Sequence, residues 1–266
     1  MSSAVAKTSF DKYAAYSKAV QVPKNEARFL RSLYKELNGT EPQVLREDFC
    51  GTFAICCEWV KLDSKKRAIG LDIDPEPLAY GTKHYLPKLT ESQRKRVKAL
   101  ERDVLGRNLL RSDLICALNF SYFAFHARDT LVQYFRSCRR SLQDNGLFVV
   151  DTFGGPQHSD ASLDTRKLPG LVYYFEQEHF DPINNRTKFN IHFKPGKSRR
   201  KKRAFSYDWR MWSIPEIRDA MLDAGFSSVD VYWEGTARDG RGSGRFTRKR
   251  RGESCLVWVA YVVGRK

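Results

Sequence analysis

The sequence predicts an α/β protein with a doubly wound parallel sheet, and three observations support this fold class. Compact apolar runs alternate with helical patterns between residues 24 and 153. Several of these runs end in an acid or another polar residue, as expected of buried parallel strands. The 266 residues are 41% hydrophobic and 13% aromatic, enough for one sizeable core. Strands that alternate with helices favour a parallel sheet covered by helices on both faces.

The elements of the first half follow from spacing and from residues that begin or end helices. Residues 24–38 have apolar side chains at helical spacing, and Gly39 ends the run. Thr52 is placed to cap a helix over 52–62, and Pro75 opens another. The remaining predictions are a helix over 128–143, ended by Asn145-Gly146, and strands over 44–48, 67–72, 97–104, 113–119 and 147–153.

The pattern changes after residue 153. Two strand-like runs, 171–180 and 187–193, are joined by a turn-forming stretch and predict a β-hairpin insertion. A helix over 215–224 and strands over 229–233 and 256–263 then complete the chain. We therefore expect one domain (1–266) with four parts: an N-terminal helical cap (1–40), a core (41–153), an insertion (154–213) and a C-terminal completion of the sheet (214–266).

The net charge of +16 is concentrated in two short segments. Residues 194–203 carry +7 and residues 238–251 carry +6, so the rest of the chain is nearly neutral. Both segments fall between predicted elements, where we expect loops. Such runs are usually solvated, but their density also suits RNA or another acidic partner.

Composition also limits the compartment. No run approaches the ~18 apolar residues that a membrane helix needs, and the N-terminus lacks the apolar core of a secretory signal. The six cysteines show neither C-x-x-C pairs nor zinc-ligand spacing, which favours buried free thiols in a reducing compartment. We expect the cytoplasm, with the nucleus or the mitochondrion as alternatives in a eukaryote, and no metal.

Polar residues lie at the ends of the first four predicted strands. In an open parallel sheet, ligands bind at the carboxyl ends of the strands near the point where the strand order reverses. The segments that converge there are Glu47–Thr52, Asp72–Asp74, Asp103-Val104 and Asn119–Tyr122.

The order of these motifs resembles that of the class I S-adenosylmethionine-dependent methyltransferases, which are Rossmann-like. LREDFCGTF (45–53) is similar to the family's acid-x-G-x-G-x-G segment, although Phe49 and Phe53 replace two of its glycines. GLDIDPEPL, DLICALNFSYF and SLQDNGLFVVDTF resemble the motifs that follow. The resemblance covers residues 24–153 and implies a seven-stranded, mostly parallel sheet whose last strand is antiparallel.

The resemblance implies S-adenosylmethionine as the cofactor, and the residue types suit it. Backbone N–H groups of Gly51 and Thr52 at a helix start suit its carboxylate, and Glu47 or Asp48 suits its amine. Asp72 lies about 20–25 residues after the first acid, the spacing of a ribose-binding carboxylate. The complete predicted cofactor set is Glu47, Asp48, Cys50, Gly51, Thr52, Asp72, Ile73, Asp103, Val104 and Asn119.

The sequence gives fewer indications of the residues that would bind the methyl acceptor. Asn119 occupies the place where amino-methyltransferases carry a catalytic Asn or Asp, but the neighbouring prolines are absent, and lining the methyl-donor site is the alternative. His126 and His158 are candidate general bases. Tyr122 and the aromatic-rich stretch with Tyr207, Trp209 and Arg210 are candidate substrate contacts; packing of the insertion explains that stretch equally well.

Three functions remain open from sequence. The first is methyl transfer to an O or N nucleophile of a small molecule, because the insertion resembles lids in that branch of the family. The second is an RNA or protein methyltransferase that uses the basic segments. The third is a non-catalytic binding protein, which the two phenylalanines in the first loop suggest.

Overall fold

The computed structural model describes residues 10–106, 111–238 and 240–266. Residues 1–9 of the expected N-terminal cap and Asp239 of the second basic segment lie outside these ranges. The described helices are α1 (Lys12–Ala19), α2 (Pro23–Asn38), α3 (Ala54–Lys61), α4 (Pro75–His84), α5 (Glu91–Arg94), α6 (Arg128–Ser141) and α7 (Ile214–Asp223). Among the described residues, no helix is long and apolar enough to cross a membrane.

The strands form two sheets. They are β1 (Val44–Asp48), β2 (Arg67–Asp72), β3 (Val97–Glu101), β4 (Ser112–Ala117), β5 (Leu142–Gly154), β6 (Ser162–Leu168), β7 (Leu171–Gln177), β8 (Arg186–Pro195), β9 (Lys201–Arg210), β10 (Ser228–Thr236), β11 (Gly242–Arg248) and β12 (Trp258–Arg265). The large sheet has the order β11-β10-β12-β5-β4-β1-β2-β3, and the small sheet is β6-β7-β8-β9.

The large sheet confirms the predicted class and extends it. Strands β1 to β5 pair parallel with one another, whereas β12 runs antiparallel to both β5 and β10. The order reverses at β1, which lies between β2 and β4. The sheet has eight strands rather than seven because β11 pairs antiparallel with β10 at the edge.

The insertion is a four-stranded antiparallel sheet rather than a hairpin. The two predicted strands are its centre, β7 and β8, and β6 and β9 flank them. Neither basic segment is simply a loop, contrary to our expectation. Lys201, Lys202 and Arg203 begin β9, and residues 242–248 form β11.

Packing on both faces of the large sheet follows from side-chain alternation along its strands. On β4, Leu114 and Cys116 face a core that includes α2 and α3, while Ile115 and Ala117 face a core that includes α6 and α7. A third apolar cluster joins α1 to the small sheet through Ala15, Ala19, Tyr173 and Phe193. The N-terminal helix and the insertion therefore pack together, above the carboxyl ends of the central strands.

Candidate functional site

The loop after β1 keeps a left-handed backbone at three alternate positions. Phe49, Gly51 and Phe53 have φ angles of 55°, 52° and 46°. A non-glycine residue in this region costs about 1–2 kcal/mol. The two phenylalanines thus adopt the conformation that glycine favours, and their packing offsets the strain.

The phenylalanine rings point into the core and leave the loop open. Phe53 is fully buried, and Phe49 packs edge-on against Phe125 and Tyr134. A Cβ added to Gly51 would meet no atom within 4 Å. Bulky residues at the glycine positions therefore do not close the site, and ligand atoms have room beside Gly51. Thr52 lies in the same partly exposed loop, but the N-cap of α3 is Phe53, not Thr52, and Phe53 has no capping side-chain hydrogen bond.

Asp72 connects the end of β2 to this loop. Its Oδ2 accepts a hydrogen bond from the Gly51 N–H at 2.7 Å, and its Oδ1 accepts one from the Asp74 N–H at 2.9 Å. The next side chain, Ile73, is 70% exposed, which is unusual for a large aliphatic residue. A carboxylate beside an open glycine and an exposed apolar face matches the polar and apolar parts of a nucleoside.

The two acids at the end of β1 point to opposite faces of the sheet. Glu47 lies under the loop, where its Oε2 accepts from the Cys56 N–H at 3.2 Å, and burial raises its pKa to about 8. Asp48 faces α6 and forms a buried ion pair with Arg46. Of the two sequence candidates for an amine contact, the structure therefore leaves only Glu47 on the side of the loop.

The other residues predicted to bind the cofactor differ in the solvent exposure of their side chains. The Cys50 side chain is buried against Gly70 of β2, so only its backbone borders the loop. Asp103 is exposed two residues beyond β3, and its Oδ1 accepts from the Leu105 N–H at 2.9 Å. Val104 is buried. The open loop, Asp72, exposed Ile73 and Asp103 therefore place donors, acceptors and an apolar surface at the same edge of the sheet.

Asp151, which sequence reasoning missed, organises the end of β4. Its Oδ2 accepts from the Asn119 N–H at 2.8 Å and its Oδ1 from the Phe120 N–H at 2.9 Å. Both partners are left-handed, with φ of 57° and 59°. Burial raises the pKa of Asp151 to about 7. An acid at the end of the fifth strand, like Asp72 at the end of the second, was the available signal.

A cavity of about 670 Å³ lies beyond the ends of β4 and β5, bounded by α1, α2, the small sheet and the β10–β11 edge. Aromatic side chains dominate its wall, and Tyr207 stacks on Trp209 with ring centroids 4.6 Å apart. Its aromatic residues are Tyr16, Phe29, Phe120, Tyr173, Phe175, Tyr207, Trp209, Phe246 and Tyr261. Its charged residues are Glu26, Asp151, Arg166 and Glu234.

Of the residues predicted to contact the acceptor, Asn119, Tyr207 and Trp209 line this cavity. The other four candidates are not part of its wall: Tyr122, His126, His158 and Arg210. Tyr207 and Trp209 belong to its wall, whereas Tyr122 is fully buried and its hydroxyl donates to the Asp151 carbonyl at 2.9 Å. Arg210 instead lies 3.7 Å from the Trp212 ring and contacts Glu216.

The two candidate histidines are also held away from the cavity wall. His126 Nε2 lies 2.8 Å from the Asp208 carbonyl oxygen. His158 Nδ1 contacts the Gly155 carbonyl oxygen, and its ring packs against Phe180. These contacts hold both rings against the protein, and neither histidine lines the cavity.

Helix α1 spans the site from above. Tyr80 of α4 donates to Asp11 at 2.8 Å, and Lys12 pairs with Glu76 at 2.9 Å, so one side of α1 is tied to α4. On its other side, Tyr16 hydrogen-bonds Tyr207 and packs on Phe205 of the small sheet. Helix α1 therefore connects the core, through its contacts with α4, to the insertion, through Tyr16.

Solved structures share the fold over almost the whole chain. A S-adenosylmethionine-dependent methyltransferase from Clostridium acetobutylicum has a TM-score of 0.69 at 16% identity, covering 94% of this chain and 96% of that protein. CalS10, an amino pentose methyltransferase from Micromonospora echinaspora, gives 0.67 at 15% over 97% and 98%. The sugar N-methyltransferase KedS8 from Streptoalloteichus gives 0.63 at 18% over 100% and 97%.

The chain has the fold of the S-adenosylmethionine-dependent methyltransferases. No protein-family model and no curated protein matches the sequence. The methyltransferase fold therefore rests on structure, and the chemistry must be argued from the residues at the site.

Proposed function

We propose that the protein is a S-adenosylmethionine-dependent methyltransferase that acts on an O or N nucleophile of a small molecule. The observation that carries this proposal is the position of the aromatic cavity. It opens from the same sheet edge as the Gly51–Asp72 loop, with Asn119 and Phe120 on its wall. A methyl donor held at the loop and an acceptor held in the cavity would therefore meet at the ends of β1 and β4.

The residues divide the proposed work between them. Gly51 and Thr52 would hold the carboxylate of the donor, Asp72 its ribose hydroxyls, and Ile73 with Asp103 and Val104 its adenine. Glu47 lies beneath the loop, near the place where an amine would bind. When bound, this cofactor supplies a methyl group on a positively charged sulfur. Most of the acceleration would then come from alignment of the acceptor in the cavity.

We assign parts of the chain to this division. The segment 41–153 would bind the cofactor, and 154–213 would cover the acceptor. The described part of 1–40 would close the space between them through α1, and 214–266 completes the sheet. Similar solved structures named as sugar or amino pentose methyltransferases support a small acceptor.

The contacts of the basic segments make RNA binding a weaker hypothesis than their net charge alone suggests. Arg248 pairs with Asp230 at 2.6 Å, and Arg203 pairs with Glu178 at 3.3 Å. Arg200 lies 3.7 Å from the Tyr174 ring. Part of each segment is thus engaged within the protein, and Phe246 of the second segment lines the cavity.

A labelling experiment tests the proposal. The purified protein is incubated with methyl-labelled S-adenosylmethionine and a cell extract separated into small metabolites, RNA and protein. We expect label in the small-metabolite fraction. Label confined to RNA or to protein would contradict a small-molecule acceptor, and failure of the folded protein to bind the cofactor would leave the non-catalytic function.

Asp72→Asn and Asp74→Asn form a matched pair of controls. Both changes remove one charge within the same turn, but the Asp74 side chain only caps α4 through the Glu76 N–H. Labelling should therefore be lost in the Asp72 variant and retained in the Asp74 variant.

A further inference from the structure

Glu26 of α2 has an unsatisfied acceptor at the cavity. Its Oε1 accepts a long hydrogen bond from the Val22 N–H at 3.3 Å. Its Oε2 is buried and has no hydrogen-bond partner among the residues that the structure describes. Buried polar atoms are nearly always paired, so this carboxylate oxygen at the cavity wall needs a partner that the cavity must supply.

The other charged groups on the cavity wall already have partners. Asp151 accepts from two backbone N–H groups, and Glu234 Oε1 accepts from the Gly244 N–H at 2.8 Å. The Arg166 guanidinium lies 5.1 Å from the Tyr173 ring. Among the charged side chains of the wall, Glu26 is therefore the one with a buried oxygen that has no partner among the described residues.

The surrounding chemistry selects a cation. The wall holds three acids and one base, together with nine aromatic side chains. Aromatic faces attract ammonium groups, and a carboxylate pairs with them through charge-assisted hydrogen bonds. A neutral alcohol would obtain less from either interaction.

We propose that the acceptor is a small amine whose nitrogen is bound by Glu26 inside this cavity. This inference rests on the proposed function and names its substrate class. The nitrogen must lose one proton before it can act as a nucleophile, and Glu26 Oε2 accepts that proton. The freed lone pair then forms the bond to the methyl carbon as the carbon–sulfur bond breaks, with its electron pair remaining on sulfur.

The burial of Glu26 suits this exchange of a proton. Desolvation raises its pKa to about 7, so both protonation states are populated near neutral pH. A base works best when its pKa lies near the working pH. An ammonium bound beside Glu26 would stabilise the charged carboxylate, and transfer of its proton would neutralise both groups.

The amine of S-adenosylmethionine is the other cation that Glu26 could bind. Glu47 lies directly under the Gly51 loop, whereas Glu26 shares the cavity with Phe120, Tyr207 and Trp209. We therefore assign Glu26 to the acceptor, and the experiment separates the two sources.

Calorimetric titration provides the test. The wild type, Glu26→Gln and Glu36→Gln are titrated with 2-phenylethylamine and with 2-phenylethanol, which differ only in the amine. Glu36 is the matched control because it lies on the same helix, is exposed, and accepts from the Tyr232 hydroxyl outside the cavity. We expect the wild type and Glu36→Gln to prefer the amine by about tenfold or more. The Glu26→Gln variant should lose this preference.

Separate titrations with S-adenosylhomocysteine distinguish the possible failures. The Glu26→Gln variant should bind it as the wild type does, and a reduced affinity would assign Glu26 to the cofactor and overturn the proposal. Equal binding of amine and alcohol by the wild type, or binding of neither, would also overturn it. Absence of S-adenosylhomocysteine binding in the wild type would instead contradict the proposed function. Circular dichroism verifies that each variant is folded.

Discussion

Asp151 at the end of β5 holds the backbone of Asn119 at the end of β4, with 2.8 Å between Oδ2 and the amide nitrogen. Its second oxygen holds Phe120 in the same way. One buried carboxylate thus fixes two consecutive left-handed residues on the cavity wall. Such conformations persist only when surrounding contacts enforce them.

We expect substitution of Asp151 to destabilise the protein in a graded order. Asp151→Ala removes both acceptors and should lower the free energy of unfolding by about 3 kcal/mol, while Asp151→Asn keeps one acceptor and should lose less. Urea denaturation measures both. Wild-type stability in Asp151→Ala would show that the two backbone bonds do not hold the turn.

The buried pair of Arg46 and Asp48 lies beneath the site. Two bonds of 2.8 Å join the side chains, and the Tyr134 hydroxyl donates to Asp48 Oδ2 at 2.9 Å. Arg46→Met would leave a buried charge without its partner and should cost about 3–5 kcal/mol. The double variant Arg46→Met/Asp48→Leu should recover most of this loss. Additive losses in a double-mutant cycle would contradict coupling between the two residues.

Phe53 gives a direct measure of strain in the loop. Replacement of its buried ring should destabilise the protein, but Phe53→Gly should be about 1 kcal/mol more stable than Phe53→Ala because φ is 46°. Phe135 is the control, since it is equally buried but helical. There the alanine variant should be the more stable of the two. The same order at both positions would argue against strain at Phe53.

Three buried carboxyls make the stability of the unliganded protein depend on pH. Burial raises the pKa of Glu47 to about 8 and the pKa of Glu26 and Asp151 to about 7. Between about pH 4.5 and these values the folded state binds more protons than the unfolded state. The contribution of these groups to the free energy of unfolding therefore falls as pH rises through this window and levels off above about pH 8.

Glu26→Gln removes one of these groups. Between about pH 5 and about pH 8, the free energy of unfolding of this variant should fall by roughly 3 kcal/mol less than that of the wild type. Urea denaturation across this pH range measures the difference. Glu36→Gln should leave the slope unchanged. A slope in Glu26→Gln equal to that of the wild type would contradict the raised pKa of Glu26.

Local sequence patterns were sufficient to predict the strands and helices of the core and the loops that connect them. Runs such as Arg67–Asp72 identify a buried strand together with the acid that follows it, because both properties are written in adjacent residues. The resemblance to known methyltransferases then implies a mostly parallel sheet with an antiparallel last strand. Gly51 and Asp72 were predicted to lie together for the same reason, and the structure joins them by a hydrogen bond of 2.7 Å.

The acceptor side could not be inferred in the same way. Glu26 belongs to an amphipathic helix in which an acid normally faces water, but it lines the cavity, where its Oε2 is buried. The second basic segment resembles a solvated loop because an edge strand tolerates exposed arginines on both faces. The surroundings of Glu26 are set by segments far apart in the chain, and β11 is defined by its pairing with β10.

Binding of S-adenosylmethionine tests the central claim most directly. Calorimetry should show one site per chain in the wild type, with affinity retained in Asp74→Asn and lost in Asp72→Asn. Absence of binding by the folded wild-type protein, or equal affinity in Asp72→Asn, would contradict the assignment of this loop as the cofactor site.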